Sequence, residues 1–276
     1  MNKTVTKPAA TPRAEGGARP DRADAEADSV ALPPGLDLLW GRRERGRTGP
    51  KPGLTVDDVV DAAVRIADAE GLDAVSMKRV ATELGFTTMA LYRYVDSKDE
   101  LLAMMWNASA LGLPTVSGEG WRELLENWAM VQFDAVCHRT WVLQMPMSRP
   151  PAGPASLAWV EQALAALADT GLAEAQKMGV IGLISAFALS EARMQYEELQ
   201  ARAAGPVADY AAVLRELVDE KTYPALYRAA WSGELDEPPN EQRQSFDVNQ
   251  FRFGLQRILD GVQALVDARS GSEGAR

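Results

Sequence analysis

The sequence predicts an all-α protein, and three observations support this fold class. Apolar residues recur at helical spacing through most of the chain after Leu54. No segment shows the alternation of apolar and polar residues that is typical of a half-buried strand. Capping residues, glycines and prolines stand where the apolar patterns begin and end, as they do at helix termini.

The composition excludes several classes of protein. The 276 residues suffice for a large core, and no apolar run is long enough to cross a membrane or to act as a signal peptide. A single cysteine, Cys137, excludes an internal disulfide and fits a reducing cytoplasm. The formal net charge of −10 argues against a protein that coats nucleic acid, so any DNA-binding surface must be local.

The N-terminal region divides into two segments. Residues 1–39 are rich in alanine, proline, glycine and charges of both signs, which predicts a disordered tail. Residues 40–53 form a basic arm, in which positions 42–51 carry a net charge of +4. We interpret the arm as a segment that follows DNA phosphates or enters the minor groove, and a solvated basic linker is the alternative.

A domain of three helices is predicted over residues 54–105. Thr55 and Asp58 form a capping box that begins the first helix, and Gly71 ends that helix. Its apolar residues recur at helical spacing, so the first helix would pack behind the next two and hold them rigid. Its acidic side chains would then face away from DNA.

The centre of this domain is a pair of short helices. The first begins at Ser76 and ends at Gly85, and the second runs from Thr87 or Thr88 to about Tyr94. A further capping box opens the helix that follows. Two helices joined through a glycine turn form a helix-turn-helix, in which the second helix lies in the major groove of DNA.

The segment Leu91–Leu102 reads LYRYVDSKDELL and resembles the DNA-binding domain of the tetracycline-repressor (TetR) family of transcriptional regulators. The resemblance is strong over Leu54–Met105. It implies that Tyr92 and Tyr94 contact phosphates or base edges, and a role as core aromatics is the alternative. The first turn of the second helix lacks the arginine and glutamine side chains that identify bases most directly. The candidate DNA-binding residues are Arg45, Arg47, Lys51, Thr55, Lys78, Arg79, Thr87, Thr88, Met89, Ala90, Tyr92, Arg93, Tyr94 and Lys98.

Residues 106–270 are predicted to form a helical domain that avoids DNA, because 14 basic and 22 acidic residues lie from Leu111 onward. The layout resembles the regulatory domain of the same family. This resemblance implies a helical bundle that encloses a small molecule, and a homodimer formed by two long C-terminal helices. The helix around Met178–Leu189 is apolar more than halfway round, which favours burial against a second subunit over burial inside a monomer. A dimer predicts a palindromic operator in double-stranded DNA.

Aromatic and methionine side chains of this domain form a candidate pocket for a planar or apolar ligand. Each of them is also compatible with a place in the core. His138 is the only histidine; it could bond a ligand, and a histidine satisfied at a helix end is the alternative. We predict no metal site and no cofactor, because His138 lacks partners at metal-ligand spacing. The candidate ligand-binding residues are Trp128, Phe133, His138, Trp141, Met145, Trp159, Phe187 and Tyr227.

The sequence lacks the common catalytic patterns. Cys137 and His138 are neighbours in the chain, whereas a nucleophilic thiol and its base normally come from separate elements. No phosphate-binding glycine loop, nucleophile elbow or zinc spacing occurs. We therefore predict that the protein is not an enzyme but a cytoplasmic, ligand-responsive, sequence-specific DNA-binding regulator, a repressor that a small-molecule inducer releases. The alternative is a helical protein that binds a small molecule or a partner and whose helix-turn-helix no longer reads DNA.

Overall fold

The structure is a computed structural model that describes residues 32–42, 54–145, 152–205, 207–236 and 246–273. Within these residues the chain forms α-helices and short 3₁₀ helices and no strand, which confirms the predicted all-α fold. None of the described helices is long and apolar enough to cross a lipid bilayer. The α-helices are α1 (Leu36–Leu39), α2 (Val56–Glu70), α3 (Met77–Glu83), α4 (Thr88–Leu91), α5 (Lys98–Ser109), α6 (Gly120–His138), α7 (Pro154–Ala166), α8 (Glu174–Ala204), α9 (Tyr210–Leu217), α10 (Pro224–Trp231) and α11 (Val248–Glu273).

Helices α2 to α4, with the start of α5, form the head of the molecule. The predicted capping box at the start of α2 is present: the Thr55 amide donates to Asp58 Oδ2 at 2.7 Å, and the Asp58 amide donates to Thr55 Oγ1 at 3.1 Å. The Thr55 hydroxyl also donates to Asp58 Oδ2, at 2.6 Å, and this bond, together with the one from the Thr55 amide, holds the pKa of Asp58 below its usual value. Gly71 follows the last residue of α2, as predicted.

The helix-turn-helix is present where the sequence predicts it. Ser76 Oγ accepts a hydrogen bond from the Arg79 amide and caps α3, and Gly85 makes the turn at a φ of +74°. The second helix is shorter than predicted, because α4 ends at Leu91. The Tyr94 amide bonds the Leu91 carbonyl three residues earlier, so the last turn tightens and the regular α-helix stops.

The end of the predicted disordered tail is ordered. Residues 36–39 form α1, whose Leu36 and Leu38 are buried, and α1 packs against α5. The prediction of disorder over residues 1–39 is therefore wrong at these positions, because two leucines suffice to anchor one turn of helix. Residues 1–31 and 43–53 lie outside the described residues. The remaining tail and the basic arm, with Arg45, Arg47 and Lys51, stay predictions.

Helices α6 to α11 form the body. Helix α6 packs against α7, α8 and α11, and three stacked phenylalanines join α6, α8 and α11. The ring centroids of Phe133 and Phe251 lie 4.1 Å apart, and those of Phe187 and Phe251 lie 5.4 Å apart. Helices α8 and α11 approach closely at Gly254, where a side chain would collide with the ring of Phe187. This close packing fixes the two longest helices against each other.

The head and the body share α5. This helix packs against α2 in the head and against α7 in the body, so the predicted domain boundary at residue 105 falls inside a helix. A second link lies beside it, where Trp141 Nε1 donates to Asp68 Oδ1 at 2.6 Å. A third runs from the Trp40 indole to the Ala152 carbonyl at 3.0 Å. These contacts couple the position of the head to the packing of the body.

The cap of α3 gives a prediction for stability. Ser76→Ala removes the acceptor of the Arg79 amide and should lower the free energy of unfolding by about 1 kcal/mol. Ser76→Asp keeps a capping acceptor at the same exposed position and should stay close to the natural protein. Urea unfolding followed by circular dichroism measures both. Equal losses for the two variants would show that the cap does not stabilise α3.

Candidate DNA-binding face and ligand cavity

The recognition helix α4 presents an exposed face of mixed chemistry. Met89 in α4 is 76% exposed, and Tyr92 and Arg93, which directly follow the helix, are exposed as well. Leu91 and Val95 are fully buried, which confirms that they point into the core of the head. The exposed side chains are the ones that can reach base edges or phosphates.

Two of the threonines that the sequence predicts to bind DNA also cap the N-termini of their own helices. Thr87 Oγ1 accepts a hydrogen bond from the Ala90 amide at 3.2 Å, and Thr55 Oγ1 serves the same purpose at the start of α2. Both residues remain exposed, so their hydroxyls lie on the surface of the head. The other predicted positions on this face are half-buried: Thr88, Ala90 and Tyr94.

The cations of the head differ in their availability. Lys78 on α3 and Lys98 at the start of α5 are exposed. Arg79 is bonded to two carboxylates, Glu70 and Glu83, each at 2.7 Å. The pair with Glu70 ties α2 to α3, and both carboxylates would compete with a DNA phosphate for the Arg79 guanidinium.

A cavity of about 490 Å³ lies in the body between α5, α6, α7 and α8. Its wall is mainly apolar, and three tryptophans contribute to it: Trp106, Trp128 and Trp159. The rings of Trp128 and Trp159 are stacked, with centroids 5.4 Å apart and planes inclined by 15°. Trp128 Nε1 donates to the Trp159 carbonyl at 2.9 Å, which fixes the pair. The other lining residues are Ser109, Ala110, Leu113, Gln132, Ala135, Val136, Val142, Ser156, Val160, Met178, Ile181, Gly182, Ser185, Ala186 and Leu189.

The polar groups of the wall fall into two sets. The hydroxyls of Ser109 and Ser185 have acceptors within the protein, the Trp106 carbonyl at 2.7 Å and Gln132 Oε1 at 3.3 Å. Ser156 Oγ and Trp159 Nε1 have no hydrogen-bond partner, although these residues are only 5% and 8% exposed. None of the described lining residues carries an ionisable side chain.

The structure places two of the predicted ligand-binding residues, Trp128 and Trp159, in the wall of the cavity. The other six lie elsewhere. Phe133 and Phe187 belong to the phenylalanine stack, and the Trp141 indole bonds Asp68. Met145 is buried outside the wall, and Tyr227 stacks on Trp231 within α10. These side chains pack the core or hold elements together.

His138 is a further correction. Its side chain is 74% exposed at the end of α6, and Nδ1 lies 2.8 Å from the Asp134 carbonyl. The structure therefore shows a histidine satisfied at a helix end. Burial raises the pKa of the neighbouring Cys137 thiol to about 12, with a smaller contribution from Asp134, so this thiol is not a ready nucleophile at neutral pH.

The wall residues that the sequence interpretation missed are mostly small or polar. Trp106 directly follows the predicted head, and serines carry no apolar signal that marks them as pocket residues. A usable signal exists in the sequence. Ser156 and Trp159 are three residues apart, and Met178, Gly182 and Ser185 recur at helical spacing, so each set shares one face of its helix.

Comparisons with known proteins agree with this geometry. Residues 59–105 match the family model described as bacterial regulatory proteins, tetR family, and residues 113–266 match the model of a tetracyclin repressor-like C-terminal domain. The chain is similar to the HTH-type transcriptional repressor DrrR1 of Streptomyces coeruleorubidus, with 39% identity over 241 residues, which are 86% of this chain and 87% of that protein. It is also similar to an HTH-type transcriptional regulator of Saccharopolyspora erythraea, with 30% identity over 190 residues, 68% of this chain and 79% of that protein.

A solved structure has a similar fold. ActR of Streptomyces coelicolor in complex with actinorhodin matches with a TM-score of 0.64 and 26% identity, over 77% of this chain and 97% of ActR. The same fold thus spans both the helix-turn-helix and the body that contains the cavity. The predicted function as a DNA-binding transcriptional regulator is confirmed, and the chain belongs to the tetR family of bacterial regulatory proteins.

Proposed function

We propose that this protein is a homodimeric repressor that binds a palindromic operator through its two heads and releases it when an organic molecule fills the cavity. One observation carries the proposal: helix α5, which packs against α2 in the head, also supplies Trp106 and Ser109 to the cavity wall. The complex of ActR with actinorhodin supports a small-molecule ligand for this fold. The protein would act in the cytoplasm. Like the transcriptional repressor that it resembles, it would regulate genes by binding DNA.

The exposed face of the head defines how DNA would be read. Met89, Tyr92 and Arg93 would enter the major groove, where an apolar side chain can pack on a thymine methyl group. Lys78 and Lys98 would bind phosphates. The half-buried Tyr94 and the paired Arg79 would contribute less. The basic arm, with Arg45, Arg47 and Lys51, would follow the phosphates beside the head. Thr55, Thr87, Thr88 and Ala90 complete the proposed face.

The two long helices of the body support the homodimer. Helices α8 and α11 pack against each other, and both expose large apolar side chains. The exposed set is Met178, Leu183 and Met194 on α8, and Val248 and Phe253 on α11. A second copy of the chain would cover them and would place two recognition helices about 34 Å apart, the spacing of successive major grooves.

One link between α5 and the rest of the cavity wall is an amide side chain. Asn107 Oδ1, on α5, accepts hydrogen bonds from the Ala155 and Ser156 amides at the start of α7, at 2.9 and 3.4 Å. Asn107 is almost fully buried, and any side chain at position 153 in place of glycine would collide with it. A ligand that moves α7 would therefore move α5 and the head, with a coupling free energy of about 1–3 kcal/mol.

The operator can be found by selecting fragments of the source genome on the purified protein at physiological salt and sequencing them. We expect enrichment of a palindrome whose half-sites are separated by about one helical turn of DNA. A folded dimer that enriches no sequence would contradict the proposal and favour a helical protein that no longer reads DNA.

Lys98→Ala tests the phosphate contact on this operator. The variant should lose affinity by a similar factor for specific and unrelated DNA, and the slope of log affinity against log salt should fall by about 1 for each head. Fluorescence anisotropy across a salt series measures both quantities. Lys221→Ala, an exposed lysine between α9 and α10, is the control and should bind like the natural protein. An unchanged salt slope for Lys98→Ala would remove this residue from the interface.

Leu183→Glu tests the homodimer. A carboxylate without a partner in the interface should weaken association by about 3 kcal/mol or more. Sedimentation equilibrium gives the dissociation constant. Met89→Glu changes an equally apolar exposed residue of the head and should leave the dimer intact. If Leu183→Glu stays as dimeric as the natural protein, the interface lies elsewhere.

Asn107→Ala tests the coupling. With an inducer found by screening for release of the selected operator, the ratio of operator affinities without and with inducer should fall about fivefold or more, because α7 is no longer bonded to α5. Asn127→Ala removes an amide that donates to the Ser117 carbonyl, outside α5 and α7, and should keep the natural ratio. A purely structural role of Asn107 would lower the unfolding temperature and leave this ratio unchanged.

A further inference from the structure

We propose that residues 34–42, which contain α1 and Trp40, form a strap that holds α5 against the start of α7 and opposes the movement that releases DNA. The inference rests on the proposed function, because it takes a shift of α7 against α5 as the step between cavity and head. It adds a regulatory element that precedes both segments matched by the family models.

The first end of the strap is docked on α5. Gly35 has a φ of +82°, which side chains rarely adopt, and a Cβ at this position would lie 3.1 Å from the Glu100 carbonyl oxygen. Glycine therefore allows the backbone of the strap to lie directly against α5. Leu36 and Leu38 follow and are both buried. Because α1 packs against α5, the burial of these leucines ties the strap to that helix.

The other end of α1 is closed by a glycine motif. Gly41 has a φ of +61°, and its amide donates to the Leu38 carbonyl at 3.1 Å, while the Arg42 amide donates to the Asp37 carbonyl at 2.8 Å. These two bonds form the Schellman arrangement that ends many helices. A helix of four residues is not stable alone in water, so α1 forms because it is docked. A chain that only linked the N-terminal residues to the head would need neither the buried leucines nor this closure.

Trp40 extends the strap to α7. Its indole Nε1 donates to the Ala152 carbonyl at 3.0 Å, shortly before α7 begins. The Asn107 side chain of α5 accepts a hydrogen bond from the Ala155 amide, in the first turn of α7. The strap and Asn107 thus hold the same short stretch of chain to α5 through two separate hydrogen bonds.

These contacts give the strap a direction of action. A shift of α7 against α5 would break the Trp40 bond or lift α1 from α5, and under the proposed function this shift accompanies the release of DNA. The strap therefore stabilises the DNA-binding arrangement relative to the induced one. Its loss should allow the junction between α5 and α7 to open more often.

Hydrogen exchange on the full chain measures this opening, with mass spectrometry and electron-transfer fragmentation to resolve single amides. The reporters are the Ala155 and Ser156 amides, which bond Asn107 across the junction. They exchange when the junction opens, so their exchange rates follow the population of the open form. No inducer is needed for the measurement.

Two variants weaken the strap by different amounts. Trp40→Phe keeps an aromatic ring but removes the donor, and it should speed exchange of the two reporter amides by about twofold to fivefold, as expected for one exposed hydrogen bond. The double variant Leu36→Ala, Leu38→Ala should undock α1 and speed their exchange at least as much.

Trp231→Phe is the matched control. Trp231 is 47% exposed and Trp40 is 46% exposed, but Trp231 lies on α10, which packs against α9, so this variant should leave the reporter amides unchanged. The amides of α11 report global unfolding and should keep their natural rates in Trp40→Phe. Unchanged reporter amides in both strap variants, or an equal acceleration of α11 in Trp40→Phe, would overturn the inference.

The duplex of the selected operator tests the direction of action. Because coupling between sites is reciprocal, operator binding should slow exchange of the reporter amides in the natural protein and restore most of the protection lost in Trp40→Phe. Faster exchange with the operator bound would show that the strap holds the released arrangement and would overturn the inference.

The same samples separate the two proposals. A protein that binds its operator, but whose reporter amides do not respond to the strap variants, refutes the inference and leaves the proposed function standing. A protein that selects no DNA sequence refutes the proposed function and the regulatory role of the strap. The exchange rates of the free protein then still decide whether α1 and Trp40 hold α5 to α7.

Discussion

The constraint on which this structure depends is that one helix must satisfy two packing surfaces. Helix α5 spans 12 residues, and its buried Leu101 and Met105 lie on the same short rod as Trp106 and Ser109 of the cavity wall. A helix of this length is about 18 Å long and behaves as a stiff element. Under the proposed function, a displacement at its cavity end would reach the head as a change in the tilt of α5.

Directional hydrogen bonds also join the elements around this helix. The Asn107 amide reaches the start of α7, the Trp141 indole reaches Asp68 on α2, and the Trp40 indole reaches the Ala152 carbonyl. Apolar contacts alone would permit gradual sliding, whereas hydrogen bonds are strongly dependent on distance and angle. A junction built from such bonds favours a few discrete arrangements. That property suits a protein whose two states must differ in their affinity for DNA.

The head was largely predictable from the sequence because its signals are local. Ser76, Gly85 and the buried Leu91 act within a few residues of their positions, and their chemistry decides where a helix starts, turns or faces inward. The cavity was only partly predictable, because four helices converge on it. Trp128 and Trp141 look alike in the sequence, and only the rotation of each helix in the packed body sends one to the cavity and the other to Asp68. Nothing local to either tryptophan encodes that rotation.

The cavity in the body has a consequence for the abundance of the protein. A ligand that fills it would remove its mainly apolar wall from contact with water. A ligand that binds only the folded state adds stability that grows with its concentration. Proteases in the cell act mainly on unfolded chains, so the ligand-free form would be degraded faster than the ligand-bound form. The amount of this regulator in the cell would then follow the concentration of its ligand, in addition to its occupancy on DNA.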